Sequence, residues 1–202
     1  MTDARAAAIG GISLLERAIN YLLGSLHLVT SDDLARPTPC RDWTVRDLLH
    51  HLDDSLLALD EAVGTGRIEL ATPSGSGAAD PVVTVRDHAR HLLAAWSGNG
   101  TDRLISIAGC ALTAGIVTGT GALELTVHGW DLAQACGWPR EIPAALAEEL
   151  LDLSPLFIVD ADRPRRFAAP VPVPADAGVG DRLLAFLGRD PAPAPRPVRY
   201  QA

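Results

Sequence analysis

Leucine recurs along this chain at the spacing of a helix, and no other pattern in it restricts the fold as much. Val45, Leu48, Leu49, Leu52, Leu56 and Leu59 fall three or four residues apart. In a helix they line one face, whereas in a strand they would scatter over both. Thr44, with Asp47 three residues on, reads as a capping box with aspartate in place of glutamate, and Gly64 and Gly66 close the segment. A first helix over about 4–28 carries the stripe Ile12, Leu15, Ala18, Ile19 and Leu22, with Asp3 as its N-cap. A third over about 81–97 opens on Pro81, and a fourth over about 114–135 stops at Gly137 and Pro139. A fifth covers about 143–158 and a short last helix about 179–187. Pro37 and Pro39 break the chain between the first two helices. Residues 71–81 read as a flexible loop, residues 164–174 as proline-rich connection, and the tail from 191 as disordered. Ile105, Ile107 and Leu112 suit a short extended piece within 101–113. The expectation is a mainly α fold with a four-helix bundle over 1–160 and a C-terminal extension over 161–202.

Aromatic residues make up 4% of a chain that is 48% hydrophobic, so leucine, alanine and valine must fill the core. The formal charge is -8, and all 17 basic residues are arginine. An acidic chain without a basic run is a poor partner for nucleic acid. Residues 104–123 carry no charge, long enough to span a bilayer. They are interrupted by four glycines and lack a basic flank, so they read as buried irregular chain entering a core helix rather than a membrane segment. Cys40, Cys110 and Cys136 form no CxxC pair and are odd in number. That argues against a disulfide framework and for a reducing cytoplasmic setting.

Glu124 and His128 lie four residues apart, on one face of the fourth helix and one turn from each other. Such a face offers a carboxylate oxygen and an imidazole nitrogen to one ion, and a histidine from a second helix would complete a three-ligand site with an open position. His50 and His51 compete for that role. His51 borders the leucine stripe one turn from Leu48 and Ser55, which favours it slightly. Asp131 shares the Glu124 face and either accepts a hydrogen bond from His128 or contacts an arginine or a neighbouring helix. Trp130 lies on the opposite side and reads as packing. His88 and His91 are a rival pair with no surrounding motif, read as a partly exposed helix face. Cys40, near the start of the second helix, is assigned a structural role, because no histidine or metal is placed to assist it. The fragment GTGALE lacks the third glycine and preceding strand of a dinucleotide loop.

The runs PCRDWTVRDLLHHL, ELTVHGWDLA and DRLLAFLGRDP, in this order, resemble the DinB-like / mycothiol-dependent maleylpyruvate isomerase superfamily, specifically its actinobacterial metal-binding branch. The resemblance covers about residues 10–192. It implies a DinB-like four-helix bundle in which His51, Glu124 and His128 hold a divalent metal. It also implies a small thiol cofactor of the mycothiol type, which the metal activates. Zinc is the first expectation for the ion, with nickel, iron and cobalt open to the same ligand set. The function implied is a metal-dependent enzyme, a mycothiol-dependent isomerase or S-transferase acting on a small electrophilic substrate, with a homodimer left open. The alternative is a non-catalytic structural or sensing metal-binding module. This chain departs from the isomerase in having only a short C-terminal extension, and a shared fold does not fix the reaction.

Overall fold

The computed structural model describes residues 2–69, 80–96, 104–163 and 167–191. The expected loop at 71–79 and the tail from 192 lie outside the described residues. Among the described residues there are six α-helices: α1 (Thr2–Leu26), α2 (Val45–Thr65), α3 (Pro81–Trp96), α4 (Ala114–Ala135), α5 (Ala144–Phe157) and α6 (Val179–Phe186). Thr44 caps α2 as its sequence suggests. Its side chain accepts from the Asp47 backbone N–H while the Asp47 carboxylate accepts from the Thr44 N–H, a closed pair that stabilises a helix start by about 1 kcal/mol. Gly66 ends α2 in the left-handed conformation, at φ 71°. The first helix starts at Thr2, one residue ahead of Asp3, so Asp3 is not its cap.

Helices α1 to α4 form the bundle, with α1 laid along α4 and α2 against both α3 and α4. Leu14, Leu15, Ile19, Leu22 and Leu26 of α1 and Leu48, Leu49, Leu52 and Leu56 of α2 belong to one core with almost no exposure. Gly129 of α4 sets the α1–α4 separation. A Cβ there would stand 3.3 Å from the Leu22 backbone, tight enough to push the helices apart. Helix α4 is buried nearly all round, its stretch Leu125–Ala133 included, which is why it shows no clear amphipathic stripe. Helix α5 packs on α4 and α6 on α5, and Leu183, Leu184 and Leu187 enter the same core.

Residues 104–113 bear out the short extended piece expected within 101–113 and depart from the reading of this stretch as buried irregular chain. They form a hairpin, β2 (Leu104–Ile107) against β3 (Cys110–Thr113), with Leu104 65% exposed. Its turn residues Ala108 and Gly109 have positive φ, 48° and 86°, as a tight two-residue hairpin turn requires. A two-residue strand, β1 (Arg67–Ile68), pairs parallel with β2. Among the described residues no helix is long and apolar enough to cross a membrane.

Candidate metal centre

The α2 stripe turns its leucines into the core and leaves His51 at the edge, facing α4. From α4, Glu124 and His128 project one turn apart toward the same point. The Oε1 atom of Glu124 contacts Nε2 of His51 and lies 3.2 Å from Nε2 of His128. One ligand atom from each of the three residues lies within 4.8 Å of the others. The two imidazole rings stand nearly perpendicular at 5.0 Å between centroids, so their nitrogens converge instead of stacking. The side chain of His51 is 36% exposed and that of Glu124 31%, against 10% for His128, so the cluster opens to solvent on one side only. Helical spacing favoured His51 over His50 only slightly; in the fold His51 points into this cluster, and His50 is exposed.

His128 has a second face. Asp131, fully buried, brings its Oδ2 to 2.9 Å from His128 Nδ1. The same oxygen accepts from Nη2 of Arg189 at 3.0 Å and from the Cys40 thiol at 3.2 Å. Both alternatives left open for Asp131 are thus realised at one atom, which bonds the histidine and an arginine together. Its Oδ1 is buried without a hydrogen-bond partner among the described residues. An ionised carboxylate only accepts, so His128 Nδ1 donates to Asp131 and Nε2 is the nitrogen turned toward Glu124.

The electrostatics follow from this packing. Burial opposes the charged form of His128, but the Glu124 carboxylate, with bonds to Asp131, Cys40 and Glu124 itself, outweighs it and raises the ring well above its ordinary 6.5. Burial likewise favours neutral Glu124 and is overcome by His128 and then His51, which hold the carboxylate ionised far below its usual range. For Asp131 burial is overcome by the hydrogen bond from His128 and the charge of Arg189, and its pKa is lowered. In this state the proton on Nε2 of His128 occupies the side of the ring that a cation would take.

Among the described residues two side-chain groups have metal-ligating composition: His51, Glu124 and His128, and, on the other face of the same ring, Cys40, His128 and Asp131. Their surroundings separate them. In the second group the Arg189 guanidinium already supplies the positive charge, 3.0 Å from Asp131 Oδ2 and 3.6 Å from Cys40 Sγ. Among the described residues the first group has no arginine bonded to it, and it offers one carboxylate oxygen and two imidazole nitrogens, a donor set that fits a divalent ion of the zinc, nickel, iron or cobalt kind once the imidazoles are neutral.

Two residues that the sequence gave no reason to place here come from the connection before α2. Proline-interrupted as expected, that segment is nonetheless hydrogen-bonded. Thr38 Oγ1 bonds the Cys40 and Trp43 carbonyls, and Trp43 N–H donates to the Cys40 carbonyl. It sets Trp43 4.8 Å from the His51 ring and 6.2 Å from that of His128. It also brings Cys40 Sγ to 3.6 Å from His128 Nδ1, so the premise that no histidine stands by this thiol is corrected. The only early signal was the closeness of Cys40 and Trp43 to the Thr44 cap. Arg189 gave none.

The rival pair goes elsewhere. His88 Nδ1 bonds Asp53 and His91 Nε2 lies 3.4 Å from Asp60, pairing α3 with α2 at two separate points. Trp130 is buried, 4% exposed, as packing requires.

The model of the mycothiol maleylpyruvate isomerase N-terminal domain family matches residues 15–133, a span that includes all three converging residues and ends well before Arg189. Two proteins of Mycobacterium tuberculosis, from strains CDC 1551 / Oshkosh and ATCC 25618 / H37Rv and each described as uncharacterized, are 29% identical over 180 residues, covering 86% of this chain and 94% of theirs. No solved structure matches the chain.

Proposed function

Because this chain belongs to the mycothiol maleylpyruvate isomerase N-terminal domain family, we propose that it is a metal-dependent enzyme using a low-molecular-weight thiol of the mycothiol kind for transfer to, or isomerisation of, a small electrophile. The observation that carries this reading is the convergence of His51, Glu124 and His128 within 4.8 Å. His51 Nε2, Glu124 Oε1 and His128 Nε2 would hold the ion, zinc foremost. The chemistry a bound divalent ion supplies is Lewis-acid activation of a sulfur nucleophile at neutral pH.

The protein's own residues have distinct tasks. Glu124 contributes the negative charge that makes the donor set selective for a cation. Asp131 keeps the proton of His128 on Nδ1 and so presents Nε2. Trp43 sets its ring 4.8 Å from that of His51, tilted against it, and so limits where the His51 ring can turn. Among the described residues no fourth protein donor joins the three. A site with a free position serves chemistry, whereas a structural site is usually closed by four protein ligands, and this favours an enzyme over a purely structural module. No disulfide links Cys40, Cys110 or Cys136, in keeping with a reducing cytoplasmic setting for a thiol-dependent reaction.

The test is metal analysis of untagged protein together with a screen of low-molecular-weight thiols against an electrophile panel, with and without chelator. Stoichiometric metal and chelator-sensitive thiol addition are expected. Metal-loaded protein that neither binds a thiol nor accelerates any addition would leave only the non-catalytic metal-binding module.

A further inference from the structure

Arg189 reaches the centre from the far end of the chain, and the way α6 ends explains how. Leu187 is the C-cap of α6, and Gly188 follows in the left-handed conformation at φ 78°. The Gly188 N–H donates to the Ala185 carbonyl at 3.0 Å and the Arg189 N–H to the Leu184 carbonyl at 2.9 Å. These two bonds are the Schellman termination, in which glycine supplies the reversal and the next residue folds back over the last turn. That next residue usually buries an apolar side chain. Here it is an arginine, 13% exposed, whose Nη2 lands on Asp131 Oδ2. The reversal admits no side chain: a Cβ on Gly188 would stand 2.7 Å from Ala168 Cβ and 2.8 Å from its carbonyl oxygen.

Resting on the metal reading above, we infer that Arg189 is a positioning residue for the centre. By pinning Asp131 Oδ2 it fixes the carboxylate that holds the His128 Nδ1 proton, and so fixes His128 with Nε2 toward His51 and Glu124. The C-terminal extension is thereby a working part of the site, although it lies outside the span that the family model matches. Two features argue for this over a merely structural ion pair. The carboxylate oxygen that Arg189 bonds is the same one that bonds the metal-facing histidine. Asp131 is also fully buried, so without the guanidinium it has only the histidine and a weak thiol donor to hold its orientation.

The experiment compares wild type, Arg189→Ala, Arg189→Lys and Gly188→Ala, each confirmed as helical and cooperatively folded. Zinc and cobalt affinities are measured by competition with a chromophoric chelator, and the His128 tautomer of the metal-free protein is read from imidazole ¹⁵N shifts at alkaline pH. Loss of such an outer partner typically weakens metal binding by roughly 10- to 100-fold. That loss is expected for Arg189→Ala, with a mixed His128 tautomer. Gly188→Ala, which keeps the charge but moves its carrier, should follow it. Arg189→Lys should recover only part, because an ammonium lacks the planar fork. Millimolar guanidinium chloride should restore affinity to Arg189→Ala and not to His128→Ala. Wild-type affinity and an unmixed Nδ1–H tautomer in both Arg189→Ala and Gly188→Ala would overturn the inference. If Arg189→Ala fails to fold, Gly188→Ala and Arg189→Lys carry the same comparison. If wild type binds no metal, the metal reading fails, and the tautomer shift alone decides whether Arg189 orients His128.

Discussion

Helix α2 faces a histidine-and-acid seam on two sides, and the two seams behave differently. Toward α3, Asp53 and Asp60 each meet one histidine, His88 and His91, at points a turn or more apart along the helix. Toward α4, two histidines meet a single carboxylate oxygen. The residue types are the same. What differs is whether the donors share one point, and only convergence builds a place for an ion. Charge pairing at separate points ties two helices together, and at such exposure it adds little stability.

Replacing both His51 and His128 by alanine attacks the convergent seam most directly. Metal affinity should fall by roughly a thousandfold or more, about 4 kcal/mol, measured by competition titration. Full metal occupancy in that double variant would move the site elsewhere, with His88 and His91 the first place to look.

A smaller loss is expected from Glu124→Gln, which keeps the shape and removes the charge at the shared oxygen. Affinity should drop roughly 100-fold, about 2.8 kcal/mol, while the circular dichroism spectrum stays helical, because the bundle rests on its leucine stripes.

The third outcome concerns protons. The raised His128 ring means that metal must displace a proton even near neutral pH, so affinity should begin to weaken above 6.5 as pH falls, not only below it. Calorimetry in buffers of different ionisation enthalpy should show proton release at neutral pH. The metal-free protein should respond in the opposite sense. A group whose pKa is raised by folding stabilises below its unfolded value, and that contribution is lost as pH climbs through the folded one. Glu124 and Asp131, lowered by folding, contribute above their ordinary range and lose that contribution on acidification. Metal-free stability, followed by thermal melts, should therefore decline on both the acid and the alkaline side. Metal should help most on the alkaline side. An alkaline melt insensitive to pH would mean that Glu124 does not stabilise a charged His128.

The smallest effect belongs to the divergent seam. His91→Ala should cost about 1 kcal/mol or less, because its pair with Asp60 is exposed, and His88→Ala somewhat more, because Asp53 is largely buried; both should leave metal binding unchanged. A large loss of metal in either variant would join the two seams and remove the contrast.

What the sequence disclosed follows from distance along the chain. Glu124 and His128 share a helix face by spacing, and α2 announces itself by stripe and cap. His51 was separable from His50 only weakly by periodicity, since both flank the stripe, and the resemblance to a known family favoured it more. The contacts that no local pattern encodes were missed. Cys40 and Trp43 sit in a proline-broken connection whose path is set by Thr38 bonds. Asp131 and Arg189 come together across the last turn of α4, all of α5 and the extension. The hairpin at 104–113 was half-seen, because its apolar residues fit an extended piece while its length without charge suggested burial. Its β1 partner is two residues long, below what alternation can signal.

The position of Arg189 also orders events during synthesis. A ribosome releases α1 through α4, and with them His51, Glu124 and His128, long before residue 189 emerges. Until then the Asp131 carboxylate has only His128 and the Cys40 thiol as partners, a state that disfavours full docking of α4, since a buried charge that loses one of its partners is destabilised. The nascent bundle should therefore stay loose around the centre and tighten only when α6 and its reversal arrive. A chain stopped after residue 160 should keep its helices yet melt earlier and show weaker protease protection around Asp131 than the full chain, as limited digestion with mass mapping would reveal. Equal protection in the two would mean that the bundle completes itself before its last residues are made.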